Sequence, residues 1–75
     1  MERIYEMLKE IKPEFDFYSS ENYISDGFLD SFDIVLLTNM LEENYNIKID
    51  GLDIIPENFA NADSIMQLVE KSKQG

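Results

Sequence analysis

The sequence predicts an all-α fold, a bundle of four helices in which the third helix is very short. Apolar residues recur at spacings of three and four in separate segments, which is the pattern of amphipathic helices. The one short stretch that alternates apolar and polar residues is Ile47–Lys48–Ile49, and no second strand is available to pair with it. We therefore interpret that stretch as an extended loop.

The chain is 75 residues long and contains no cysteine. This length is near the lower limit at which a hydrophobic core stabilises a fold without disulfides or metals. We expect residues 1–75 to form a single domain.

The first helix has an apolar stripe with the spacing i, i+3, i+4 and i+7, formed by Ile4, Met7, Leu8 and Ile11. Pro13 disfavours helical backbone at Lys12, so this helix should end there. Residues 14–30 show no sustained helical period and predict a long loop, in which Phe15 and Phe17 would pin the chain to the core. Loops of this length are uncommon in small domains and often have a function.

The second helix is predicted from a stripe formed by Ile34, Leu37, Leu41 and Tyr45, with Thr38 beside it. Asn46 marks its expected end. Ser31 lies just before the stripe, where the N-cap is expected, because serine is a favoured N-cap residue.

Two further helical segments follow. Pro56 suits the first turn of a helix, so Pro56–Phe59 is predicted as the short third helix. Asn61 is expected to cap the last helix, whose buried stripe would be Ile65, Leu68 and Val69.

The absence of both histidine and cysteine restricts the chemistry of the chain. It removes the usual general base and the usual nucleophilic pairs, and it leaves no thiolate for a zinc site. A stand-alone hydrolase has no plausible base or oxyanion site in this sequence, and we expect the chain not to be an enzyme.

The net charge of −10 arises from 16 acidic and 6 basic residues. Such a charge repels nucleic-acid phosphate and anionic lipid and attracts basic protein surfaces. The N-terminal sequence MERIYEMLKE is unlike a secretory signal, and no apolar run approaches the roughly 20 residues of a membrane helix. We expect a cytoplasmic monomer with no nucleic-acid partner and no membrane insertion.

Ser31, within the segment GFLDSFD at residues 27–33, is the strongest candidate for a functional residue. A helix N-terminus presents unpaired N–H groups and a partial positive charge, which favour a phosphoryl group attached to an exposed serine. The alternative interpretation is that Ser31 only caps the helix. The two roles are compatible.

The segment LDSFDIV at residues 29–35 resembles the Asp-Ser-Leu signature of acyl and peptidyl carrier proteins. The resemblance covers nearly the whole chain: the first helix, the loop ending in DGFLDSFDIV, the run LEENYNIKI, the turn DIIPENF and the closing helix SIMQLVEK. Phe32 stands where the family usually has leucine, and Leu36 stands where fatty-acid carriers often have glutamate. The segments GFLDSF and PENF resemble D-alanyl carriers and related stand-alone carriers more closely than fatty-acid carriers.

The resemblance implies that 4'-phosphopantetheine is attached to Ser31 and holds an acyl or aminoacyl group as a thioester. The implied partners are a phosphopantetheinyl transferase, an adenylating ligase or acyltransferase that loads the thiol, and a downstream transferase. D-alanine, another amino acid, a short acyl chain and intermediates of fatty-acid synthesis are alternative cargoes.

The expected partner-docking surface surrounds the serine and comprises Asp30, Phe32, Asp33, Leu36, Glu42 and Glu43. The apolar pair would supply contact energy, while the acids would steer and align a basic partner. The simpler alternative is a solvated acidic face that keeps the protein soluble. A rival function is a non-prosthetic acidic adaptor or inhibitor that uses the same helical face.

A third group of polar residues comprises Asp50, Asp53, Glu57 and Asn58. Its spacing does not match the calcium-binding loop pattern, so we interpret these residues as turn and cap residues.

The excess of carboxylates predicts a salt-dependent stability. Sixteen acids on a small surface repel one another, so screening should stabilise the folded state. We expect salt or millimolar divalent cations to raise the midpoint of thermal unfolding, followed by circular dichroism. An unchanged midpoint across the titration would contradict this expectation.

Overall fold

The three α-helices of the protein lie at Glu2–Ile11 (α1), Ser31–Tyr45 (α2) and Ala62–Gln74 (α3). They are seen in a computed structural model that describes residues 2–74. Two short 3-10 helices, Gly51–Asp53 and Pro56–Phe59, lie between α2 and α3, and residues 2–74 contain no β-strand. The all-helical fold class is confirmed. The predicted third helix is one turn of 3-10 helix. Residues 2–74 therefore contain three α-helices rather than the predicted four helices.

The predicted apolar stripes lie in the core, except that Ile11 and Tyr45 are only partly buried at its edge. α1 packs against both α2 and α3, and the second 3-10 helix packs against α3 and α2. The side chains that share this core come from all three α-helices, from the long loop and from the segment after α2: Ile4, Met7, Leu8, Phe17, Tyr23, Leu29, Ile34, Leu37, Leu41, Ile49, Phe59, Ala62, Ile65, Leu68 and Val69. The Cα radius of gyration of 11.2 Å is close to the roughly 11 Å expected for a compact chain of this length.

The helix ends follow from local sequence. Asn46 ends α2 in the left-handed conformation at φ 54°, which asparagine tolerates better than most residues, and its N–H donates to the carbonyl of Glu42. Asn61 Oδ1 accepts a hydrogen bond from Ser64 N at 2.8 Å, which confirms its capping role at α3. Ile47–Ile49 is irregular backbone that leads out of α2, as predicted.

Aromatic side chains hold the loop between α1 and α2. Phe17 packs edge-on against Tyr23 with ring centroids 4.9 Å apart, and Phe15 stacks on Phe28 at 4.5 Å. Tyr23 is only 1% exposed, and its N–H donates to the carbonyl of Ala60 at 2.6 Å. The loop is therefore tied to the residues just before α3, and it delivers the chain to the start of α2.

Within residues 2–74, no helix combines the length and the apolar character needed to cross a membrane.

Tyr23 and Tyr18 make a matched pair for testing how the loop is held, because Tyr23 is buried and Tyr18 is 67% exposed. Replacing a buried aromatic residue by alanine typically costs about 3–5 kcal/mol through lost burial and a residual cavity. We expect a loss of about that size for Tyr23→Ala and only about 0.5–1.5 kcal/mol for Tyr18→Ala, the usual worth of one aromatic stack. Urea unfolding monitored by circular dichroism measures both, and equal losses would contradict the structure.

Candidate functional site

Ser31 is the first residue of α2 and is exposed to solvent. The residue before it, Asp30, is the N-cap, with extended backbone at φ −111° and ψ −176°. The expectation that Ser31 itself caps the helix was therefore wrong by one residue. Aspartate and serine are both strong N-caps, and the aspartate comes first in the chain.

Asp30 and Asp33 form a reciprocal capping box. Asp30 Oδ1 accepts from Asp33 N at 2.9 Å, and Asp30 N donates to Asp33 Oδ2 at 3.2 Å. This pair satisfies two backbone donors that a helix start otherwise leaves without partners. The cap thus leaves the hydroxyl of Ser31 out of the hydrogen bonds that hold the helix end.

Lys12, which follows α1, completes this arrangement. Its Nζ lies 3.5 Å from Asp33 Oδ2, and both side chains are largely shielded from solvent. Asp33 as a whole is only 8% exposed, so its carboxylate faces the interior and Lys12 rather than a docking partner. Sequence reasoning missed Lys12 because it is distant from α2 in the chain, and no local pattern marks the contact.

The capping hydrogen bonds also affect ionisation. The N–H of Asp33 holds the pKa of the Asp30 carboxyl below its ordinary value of 3.8, and the nearby Lys12 ammonium acts in the same direction. Asp30 therefore stays negative at neutral pH, next to the positive end of the α2 dipole.

Apolar side chains are exposed on α2 directly after the serine. Phe32 is 66% exposed, and Val35 and Leu36 also face solvent. These three residues form what we call the apolar face, and the spacing i, i+3 and i+4 puts them on one side of the helix. Val35 was not singled out from the sequence, although the same spacing could have revealed it. Large apolar side chains exposed side by side often mark interaction sites.

The two glutamates predicted for docking differ in their surroundings. Glu42 is half-buried, and its Oε2 accepts from Ile49 N at 2.9 Å, so this carboxylate ties the end of α2 to the following segment. Glu43 is exposed. Of the four predicted acids, Asp30 and Glu43 are exposed, although Asp30 also caps α2. Asp33 is buried and Glu42 is half-buried, and both make contacts within the chain.

The polar group after α2 has structural contacts. Asp50 Oδ1 accepts from Leu52 N at 2.9 Å, and Asp53 Oδ1 lies 2.8 Å from Lys71 Nζ. Asn58 Nδ2 donates to the carbonyl of Asp53 at 2.7 Å. The interpretation as turn and cap residues is confirmed for Asp50, which caps the first 3-10 helix, and Asn58 holds the segment that follows it. Asp53 instead forms an ion pair with Lys71, and Glu57 is exposed. Nowhere between residues 2 and 74 do three or more potential ligand side chains meet as a metal site would require.

The lowered pKa of Asp30 gives a testable pH dependence. A carboxyl whose pKa is lower in the folded state stabilises the fold above its unfolded value, near 3.8, and this stability is lost as pH falls through the lower folded pKa. Asp30→Asn keeps a capping acceptor but removes this ionisation. We therefore expect the variant to lose less stability than wild type as pH falls below about 4, in urea titrations monitored by circular dichroism.

Glu43→Gln is the matched control for that comparison, because it removes one exposed carboxylate from the same helix without touching the cap. It should keep the acid dependence of wild type more closely than Asp30→Asn does. Parallel curves for wild type and Asp30→Asn would show that the cap does not contribute to acid sensitivity.

The site therefore consists of an exposed serine at the start of α2, a capping box that does not use its hydroxyl, and an adjacent exposed apolar face. No family model matches the chain, and comparisons with curated proteins and with solved structures gave no match either.

Proposed function

We propose that the chain is a carrier protein in which Ser31 bears a 4'-phosphopantetheine arm. The observation that carries the proposal is the placement of Ser31 within LDSFDIV, exposed at the first residue of α2, while Asp30 provides the helix cap. The serine hydroxyl thus has no role in holding the helix end. The resemblance of this segment to the carrier signature supplies the identity of the group.

The surroundings of Ser31 suit a phosphodiester at its oxygen. The serine lies at the positive end of the α2 dipole, which favours an anionic group. Its side chain is exposed, so a bulky substituent does not displace the core. Lys12 is the nearby cation, and its pairing with Asp33 reduces the negative field at the helix start.

Attachment requires an external enzyme. The Ser31 oxygen would attack the phosphorus that carries the pantetheine in coenzyme A, the bond from that phosphorus to the bridging oxygen would break, and adenosine 3',5'-bisphosphate would leave. The serine proton must pass to a base of the transferase, because this chain contains no histidine. When attached, the arm supplies a thiol that holds the acyl or aminoacyl cargo as a thioester.

The chain's own residues then act by docking. Phe32, Val35 and Leu36 would give contact energy to a partner, because exposed apolar side chains gain most when they are buried at the centre of an interface. Asp30 would steer a basic partner surface towards the serine, and Glu43 would attract the same surface near the other end of α2. The carrier is not an enzyme in this proposal; it brings a tethered group to successive partners at high effective concentration.

Carriers of this kind are four-helix bundles with a short third helix. Pro56–Phe59 would correspond to that third helix, shortened here to one 3-10 turn. The segments GFLDSF and PENF favour a D-alanyl carrier or a related stand-alone carrier over a carrier for bulk fatty-acid synthesis.

A second candidate function is an acidic adaptor without a prosthetic group. The exposed apolar face favours it, since this face could bind a basic protein whether or not the serine is modified. The adaptor needs no special serine, and this difference separates the two candidates.

Ser31→Ala tests the carrier role cleanly. Because Asp30 provides the cap, removing the hydroxyl should change the free energy of unfolding by no more than about 0.5 kcal/mol, as expected for a surface substitution. Wild type treated with coenzyme A and a broad-specificity phosphopantetheinyl transferase should gain the mass of one arm, measured on the intact protein. Ser31→Ala should gain none and keep its helical circular dichroism.

Ser25→Ala is the matched control, since Ser25 is an exposed serine in the loop before α2. It should be modified like wild type. Modification of Ser31→Ala, or failure of several such transferases to modify wild type, would favour the adaptor.

A further inference from the structure

A groove of about 510 Å³ lies between α1 and the loop that follows it. One wall is the α1 face formed by Glu2, Tyr5 and Glu6, and the other wall is loop residues 13–18. We call it the tyrosine groove. Neither Ser31 nor any residue of the apolar face lines it.

Two stacked tyrosines, one from each wall, line the tyrosine groove. The rings of Tyr5 and Tyr18 lie 4.0 Å apart between centroids and 16° from parallel. Tyr18 is nevertheless 67% exposed, so the stack covers one face of its ring and leaves much of the rest open. An aromatic ring held in place with an open face is a ready contact for a cation, because the ring face is electronegative.

The charges around this ring have one dominant sign. Four carboxylates and one ammonium line the groove: those of Glu2, Glu6, Glu14 and Asp16, and that of Lys9. The pKa of the Tyr18 phenol is raised by loss of water around it and then by Glu2, with Asp16 and Glu6 acting in the same direction. These three carboxylates therefore act on the same ring.

We propose that the tyrosine groove binds a basic peptide segment of a partner protein, with an arginine side chain against the exposed part of the Tyr18 ring. A guanidinium is planar and stacks on aromatic rings, while its N–H groups pair with carboxylates such as Glu2 and Glu6. The volume of the groove suits one or two side chains.

Nucleic acid and a divalent cation both fit the tyrosine groove less well than a basic peptide does. Nucleic acid is disfavoured because its phosphates would face four carboxylates. A divalent ion needs several oxygen ligands around one point, and residues 2–74 contain no such cluster of three. Acids spread along a groove instead match the spaced charges of an extended basic chain. The proposal does not depend on modification of Ser31.

The probe is an acetylated and amidated Gly-Arg-Arg-Gly peptide, titrated into the full chain and followed by amide chemical shifts. Shifts should concentrate on the residues of the tyrosine groove. Tyr18→Leu should weaken binding about twofold to fivefold, the size of an exposed cation–π contact. Glu2→Gln with Glu6→Gln should weaken binding about threefold or more. Glu43→Gln with Glu57→Gln removes the same charge elsewhere and should weaken it less.

Three results would overturn the proposal. Equal weakening by the two double variants, with shifts spread over all acidic regions, would show only general charge attraction. Unchanged affinity in Tyr18→Leu would remove the aromatic contact, and the amide spectrum of that variant reports whether it still folds. Calcium that produces the same shifts and displaces the peptide would identify an ion site. Ser31→Ala should bind the peptide like wild type, so failure here is distinct from failure of the carrier proposal.

Discussion

The packing of aromatic rings within residues 12–30 is the interaction on which the rest of this small structure depends. A long segment without regular helix carries an ordering cost on the order of tens of kcal/mol, and it must be offset by burial. Phe17 and Tyr23 are buried, Phe28 packs against both by edge-on and stacked contacts, and all three contribute to that burial. The hydrogen bond from Tyr23 N to the Ala60 carbonyl then fixes the loop against the segment before α3. If this cluster were lost, the loop would no longer be fixed against the core, and α1 and α2 would be held together only by their direct packing and by the ion pair between Lys12 and Asp33.

The start of α2 shows how a crowded acidic surface is made compatible with an ordered helix end. Two aspartates meet at the capping box, which alone would be repulsive. Backbone N–H groups, the helix dipole and Lys12 each offset that repulsion. Lys12 follows α1, so the same ion pair links the first helix to the second. The orientation of Ser31 is therefore set by contacts that do not involve its own hydroxyl.

Local patterns in the sequence were sufficient for the helices and for much of the site. Apolar spacing located α1, α2 and α3, and Asn46 and Asn61 marked ends because their side chains suit those backbone positions. The predicted N-cap of α2, Ser31, was one residue too late in the chain. Neighbouring Asp30 and Ser31 are both good caps, and only the backbone angles distinguish them. Local sequence patterns could not predict contacts between segments that are distant in the chain. The pairing of Lys12 with Asp33 is one, because it depends on how the loop folds back.

The far end of α2 brings the two ends of the described chain together. Arg3, near the start of α1, and Lys73, near the end of α3, both lie over the ring of Tyr45, at 5.2 and 5.6 Å from its centroid. α2 has 15 residues, so this meeting point is roughly 20 Å along the helix from Ser31. Polypeptide joined to either end, whether a neighbouring domain or an affinity tag, would therefore lie at the end of the molecule opposite Ser31. The serine would then stay accessible in a fusion built in either direction.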